Sequence, residues 1–325
     1  MSIRKQINPE FLSGLDTVLD FTGPGGFNAI ADLAMRRAKL GDLLSLGEFD
    51  PISLGVAITE VLTTGHRLVP DLIVRIYRRL DAVGIAPCIF FMHGGGMVMN
   101  SAKDEDFTAS SLATEVRATV ISVEYRLAPE HPYPAAMEDC YAALQWVVKN
   151  AQELAIDPDR IAVHGQSAGG GLAAGLALLA RDRNGPSLAF QSLIYPMLDD
   201  RHQTYSSQKI VDIGIWDRAG SIEAWRWYLN NQDGLIEPEI YAAPARATDL
   251  SGLPPTFIDS GALDIFCDES ISYASALLHA NVPTELHIYP GAYHAFELFA
   301  PEADLSQQAL HTRFAALRRG LRVLC

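Results

Sequence analysis

Short apolar runs alternate with longer helical patterns through most of the chain. Runs at 85–92, 118–123, 160–163, 190–195, 255–259 and 284–289 predict buried strands. Between them, 106–116, 135–153, 167–181 and 268–280 carry the spacing of helices. Continuous apolar strands separated by helices predict an α/β fold, a mostly parallel central sheet flanked by helices on both faces. An earlier stretch, Leu68 to Arg79, sets Leu72, Val74 and Ile76 against Asp71, Arg75 and Arg78, the pattern of a half-exposed strand. Near the end, Leu310, Phe314, Leu317 and Leu321 recur at helical spacing and predict an amphipathic helix docked on the sheet.

Two regions break this rhythm. Residues 1–65 carry mixed helical patterns interrupted by Gly23-Pro24-Gly25-Gly26. That cluster lacks the Lys-Ser/Thr of a phosphate-binding loop and follows no strand, so it reads as a plain loop. Residues 200–246 hold three of the four tryptophans, Trp216, Trp225 and Trp227, with Tyr228 beside them. An aromatic insertion placed after a strand could fold over the sheet as a lid, or its rings could simply fill a local core.

Composition narrows the picture. With 325 residues, 49% of them hydrophobic, the chain can bury a sizeable core as one large α/β domain or two small ones. A net charge of −14 with no Lys/Arg run excludes nucleic acid as a partner, because the phosphate backbone would be repelled. Cys88, Cys140, Cys267 and Cys325 form no C-x-x-C pair and read as reduced, mostly buried thiols. The first residues, Met1 to Gln6, open charged without a following apolar segment, and no stretch of about 18 apolar residues could span a bilayer. A soluble, cytoplasmic protein is expected.

The candidate chemistry starts at Gly165-Gln166-Ser167-Ala168-Gly169, a G-x-S-x-G segment between a predicted strand and a predicted helix. Strand, sharp turn and helix form the setting that pushes a serine out as a nucleophile. A serine hydroxyl needs a base, and the base needs an orienting acid. On this type of sheet they follow in the order Ser, Asp, His, each on a loop after a later strand. Asp264 lies in the loop after 255–259 and His294 in the loop after 284–289. Asp268 and Glu269 suit first-turn helix charges better. His279 and His287 fall inside a helix and a strand, and His66, His202 and His311 have no motif around them. His93 and His131 precede the serine, and His164 at a strand end suggests packing. His93-Gly94-Gly95-Gly96 follows a strand and matches an HGGG loop, so Gly94, Gly95 and Ala168 are the candidate backbone donors of an oxyanion hole.

With these motifs on the page, the sequence resembles the hormone-sensitive-lipase group of α/β-hydrolases, the family IV esterases, over roughly residues 70–320. The segment from Tyr125 to Ala136 is similar to that group's segment after the oxyanion loop, and Tyr195-Pro196-Met197-Leu198-Asp199 and Leu253-Pro254-Pro255-Thr256 are similar in kind. The resemblance implies an α/β-hydrolase fold with a helical cap: residues 1–65 as cap helices and lead-in, 66–199 and 247–325 as the core, and 200–246 as the cap insertion. It implies no metal and no organic cofactor, and its edge strands and final helices are compatible with a homodimer. By motif position the family's nucleophile falls on Ser167, its acid on Asp264, its base on His294 and its oxyanion donors on Gly94, Gly95 and Ala168. Three positions depart from the family: Gln166 replaces an acidic or small polar residue, Met97 an aromatic one, and Gly171 a frequent Asn. Met97, with Met99 and Asn100 after it, is expected to widen or soften the substrate pocket.

The function expected is therefore hydrolysis of short- to medium-chain carboxylic esters, with a small-molecule ester as partner. An amide, carbamate or lactone hydrolase with the same triad is the alternative within catalysis. A non-catalytic small-molecule receptor is the alternative outside it, disfavoured by the presence of His294.

Overall fold

The apolar run Ala86–Met92 forms β3, an interior strand of an eight-stranded sheet in a computed structural model that describes residues 3–44, 49–65, 69–231 and 237–323. Its side chains divide with period two. Cys88, Phe90 and Met92 enter the apolar cluster on one face of the sheet, Ile89 and Phe91 the cluster on the other. The remaining strands are β1 (Val56–Thr63), β2 (Leu72–Arg79), β4 (Thr119–Val123), β5 (Ile156–Gln166), β6 (Phe190–Ile194), β7 (Thr256–Gly261) and β8 (Thr284–Tyr289). They lie in the order β1-β2-β4-β3-β5-β6-β7-β8. β2 is antiparallel to both β1 and β4, and every other neighbouring pair is parallel.

Three strand features differ from the sequence expectation. β1 lies where helical patterns are expected, because as an edge strand it buries only Val56 and Thr63 at its two ends and shows no clean alternation. β5 begins four residues early and ends at Gln166, immediately beside the candidate nucleophile. The strand expected from Leu68 begins at Leu72, and Leu68 itself lies outside the described residues.

The helices, in chain order, are α1 (Leu12–Thr22), α2 (Leu33–Leu44), α3 (Asp106–Val116), α4 (Ala135–Lys149), α5 (Ala168–Asp182), α6 (Tyr205–Lys209), α7 (Arg218–Leu229), α8 (Cys267–His279), α9 (Phe296–Phe299) and α10 (Asp304–Gly320). α3 and α10 cover one face through Ala109, Leu112, Ala316 and Leu317. α4, α5 and α8 cover the other through Leu144, Leu172, Leu176 and Leu277. Each such buried leucine contributes about 1.5–3 kcal/mol of apolar burial. The buried stripe of α10 is Ser306, Ala309, Arg313, Ala316 and Leu317, while the expected Leu310 and Phe314 are half-buried. The stripe is displaced because an arginine, normally a surface residue, is paired inside.

The N-terminal helices join the insertion after β6. Gly26, at φ 64°, packs so closely that a Cβ there would lie 1.7 Å from the Gly214 carbonyl oxygen. Arg4 donates to the carbonyls of Asp212 and Ile213, and Arg36 pairs with Glu223 at 2.7 Å. On the core side, the Asn8 amide donates to Gly291 O at 3.0 Å, and the Tyr293 hydroxyl to Phe11 O at 3.2 Å.

Candidate active site

β5 ends at Gln166 and α5 starts at Ala168, leaving Ser167 alone at the turn with φ 56° and ψ −120°. A side chain at positive φ is strained by about 1–3 kcal/mol and persists only where its surroundings fix it. Here the Ser167 amide donates to Ile194 O at 2.8 Å, and its carbonyl accepts from the amides of Gly171 (3.1 Å) and Met197 (2.9 Å). Glycine is required on both sides of the turn. A Cβ at Gly165 would lie 2.0 Å from Gly169 O, and one at Gly169 would lie 2.0 Å from Met92 O.

The loops after β7 and β8 converge on this turn. His294 Nε2 lies 3.0 Å from Ser167 Oγ, and His294 Nδ1 lies 2.8 Å from Asp264 Oδ2. The other Asp264 oxygen accepts the Phe266 amide at 2.9 Å, which fixes the carboxylate. Rings stand edge-on to the imidazole from two sides, Tyr195 at 4.8 Å and Phe266 at 5.3 Å between centroids. All three site side chains are buried.

The HGGG loop meets the serine from the end of β3. A Cβ at Gly94 would lie 3.5 Å from Ser167 Cβ, so its backbone stands against the nucleophile. Gly95 adopts φ 107°, and a Cβ there would meet Met99 O at 2.1 Å. Among the described residues, the amides of Gly94, Gly95 and Ala168 donate no backbone hydrogen bond outside the regular helices and strands. Unsatisfied amides beside a nucleophile suit an incoming oxyanion.

The other described histidines with resolved contacts are occupied elsewhere. His93 stacks on Tyr125 at 4.1 Å, and burial pushes its pKa down to about 4. His164 contacts Ser192 Oγ at 3.0 Å and is pushed down to about 3, first by burial and then by Arg313. His202 contacts Ser221 and His287 contacts Glu285, whereas His66 lies outside the described residues. Asp268 accepts the Ser206 amide and Glu269 the Leu198 amide, both at 2.7 Å, so neither approaches His294 as Asp264 does. Cys88, Cys140 and Cys267 are buried free thiols, and Cys325 lies outside the described residues. Among the described residues, no group of three or more His, Cys, Asp or Glu side chains could hold a metal ion, and no helix is long and apolar enough to cross a membrane.

A narrow cavity of about 80 Å³ opens on Ser167 and His294. Its apolar walls include Phe27, Leu40 and Leu44 from the N-terminal segment, Ile215 and Trp216 from the insertion, and Phe299 from α9. Trp216 thus lines the site, whereas Trp225 and Tyr228 pack into the core. Gln166 also lines the cavity. Met97 corrects the sequence expectation: it is buried, its methyl end packed against Gly171 and not on the cavity wall, and Met99 and Asn100 face the substrate space instead. Gly171 has no room for the family's Asn, since a Cβ there would lie 2.1 Å from Met197 O.

Sequence reasoning did not find two further groups. Beneath His294, Arg313 donates to both oxygens of Asp259 (2.6 and 3.2 Å) and to Glu297, which also accepts the Tyr195 hydroxyl at 2.6 Å. Burial lifts the Asp259 carboxyl to about 6 against the pull of Arg313. The one sequence signal for this network is an arginine on the inward, otherwise small and apolar face of the amphipathic helix α10. The second group, Glu105, lines the cavity from the N-terminal end of α3 and carries no motif.

Comparison with known proteins shows the family. The family model described as alpha/beta hydrolase fold matches residues 89–298. Carboxylesterase NlhH of Mycobacterium tuberculosis is 38% identical over 321 residues, covering 98% of this chain and 97% of its own. The solved structure titled bacterial heroin esterase superposes with a TM-score of 0.88 at 39% identity, covering 99% of this chain and all of that one (100%). A thermostable esterase from Pseudomonas putida gives a TM-score of 0.89 at 27% identity, covering 98% of this chain and 99% of that one.

Proposed function

The chain belongs to the hormone-sensitive-lipase-like esterases of the α/β-hydrolase superfamily, and from that premise we propose that it hydrolyses short- to medium-chain carboxylic esters with Ser167 as nucleophile. The observation that carries this reading is the His294 imidazole, 3.0 Å from Ser167 Oγ on one side and 2.8 Å from Asp264 on the other. Ser167 Oγ attacks the ester carbonyl carbon while His294 Nε2 takes its proton, and Asp264 holds the imidazole with Nδ1–H toward the carboxylate. The carbonyl oxygen becomes an oxyanion that the amides of Gly94, Gly95 and Ala168 receive. Collapse breaks the C–O bond to the alcohol, which leaves with the proton from His294. Water, deprotonated by His294, then attacks the acyl-serine and releases the acid and the free hydroxyl.

Of the cap expected over residues 1–65 and 200–246, the described N-terminal part through Leu44 and the described part of the insertion close over the site, whereas Val56–Thr63 form β1 and belong to the sheet with the core segments, and Phe27, Leu40 and Trp216 bound the acyl space. A chain-length series of p-nitrophenyl esters beside a simple p-nitroanilide tests the reading. The expected result is highest kcat/KM at short to medium acyl length and little turnover of the anilide. Faster cleavage of the anilide than of any ester would overturn it.

A further inference from the structure

Acyl transfer leaves one carboxyl in the cavity without a role. Glu105 is 4% exposed and lies on the cavity wall. Its Oε1 accepts from Asn100 Nδ2 at 2.9 Å, and the Thr108 hydroxyl is its other hydrogen-bonding neighbour. Among the described residues no Lys, Arg or His forms an ion pair with it, and the cavity lining contains no Lys or Arg. Burial pushes its pKa up, and the negative charges of Asp104 and Glu297 add to the rise. A buried carboxylate without a cation is costly, and an incoming cation relieves that cost. The same cavity is walled by the rings of Phe27, Tyr195, Trp216 and Phe299. A carboxylate among aromatic rings, with no competing cation, is the chemistry that holds an alkylammonium group.

We propose that Glu105 and these rings form a subsite for an alkylammonium group, so that the preferred substrates are esters carrying a tertiary or quaternary amine. The proposal rests on the ester-hydrolase reading of Ser167. The surplus of acidic over basic residues, 39 against 25, favours the approach of such cations.

The test compares two isosteric pairs. One is acetylcholine against the acetate ester in which tert-butyl replaces trimethylammonium. The other is the p-nitrophenyl ester of an ω-trimethylammonio acid against its tert-butyl counterpart. In the wild type, kcat/KM is about tenfold higher for the cationic member of at least one pair. Glu105→Gln, which keeps an acceptor for Asn100 Nδ2, reduces that preference to within about threefold by slowing the cationic member more than the neutral one. No preference in either pair overturns the proposal, as does a preference that survives Glu105→Gln. Equal slowing of both members by the variant also overturns it, since that is the mark of a residue that only positions the loop through Asn100. Should the variant not fold, choline inhibits wild-type turnover of p-nitrophenyl acetate about tenfold better than its tert-butyl isostere, and equal inhibition refutes the subsite. If the wild type cleaves none of these esters, the ester-hydrolase reading fails by itself, and calorimetric binding of choline against the same isostere decides the subsite.

Discussion

Replacing Arg313 by Met leaves two carboxyl groups, Asp259 and Glu297, facing each other in the core. The arginine is 3% exposed, donates to both carboxylates, and places its guanidinium 5.4 Å from the Tyr195 ring centre and 6.0 Å from that of Phe296. Methionine fills much of the stem volume, so the loss is dominated by the stranded charges. Breaking a buried ion pair by removing one partner costs about 3–5 kcal/mol. The pH dependence follows from Asp259. Its folded pKa of about 6 lies above its ordinary 3.8, so its contribution is fully present below about pH 3.8 and is lost as pH rises through 6. Without Arg313 the folded value rises further, and the deficit is larger at pH 8 than at pH 5. Catalysis falls as well, because Tyr195 stands against His294 and donates its hydroxyl to Glu297. Urea unfolding at the two pH values, with kcat measured on the folded variant, reads all three effects. A loss below about 1 kcal/mol, equal at both pH values, would refute the reasoning.

Asp264→Asn should keep the bond from the Phe266 amide yet favour the wrong imidazole tautomer, lowering kcat by about 10³–10⁴-fold with little change in KM; a loss under about tenfold counts against Asp264. Gly95→Ala forces a Cβ toward Met99 O in a backbone held at φ 107°, and should cost about 10²–10³ in kcat with the fold retained by circular dichroism. Buried neutral histidines make the fold acid-sensitive. His93 and His164 titrate at about 4 and about 3 when folded, below the unfolded value near 6.5, so stability is present above about pH 6.5 and is lost as pH falls toward 4. The cost at pH 5 is about 2 kcal/mol for each, opposed by the gain from Asp259. His164→Gln therefore flattens the fall in urea midpoint between pH 7.5 and pH 5, and an unchanged slope contradicts the assignment.

The parts legible in the sequence are those written in local order. The nucleophile turn needs Gly165 and Gly169 where backbone approaches backbone, and the loops bearing Asp264 and His294 sit at the ends of apolar runs that read plainly as strands. What stayed hidden depends on partners far along the chain. Arg313 is an inward residue only because Asp259, 54 positions earlier, meets it. Glu105 faces the cavity only through the fold of the irregular loop after Gly96, where Met97 and Asn100 take positive φ and no periodicity marks which side chain points inward. In the same loop Met99, and not Met97, lies on the cavity wall. β1 escaped notice because an edge strand half in solvent need not alternate.

The central claim is that Ser167 carries the acyl group. Intact-mass spectrometry after treatment with a fluorophosphonate tests it most directly. The wild type should gain one phosphonyl adduct, mapped by peptide sequencing to the segment containing Ser167, and lose all turnover of p-nitrophenyl acetate. Ser167→Ala should gain none and turn over nothing. Labelling or turnover that persists in Ser167→Ala would place the nucleophile elsewhere and contradict the account.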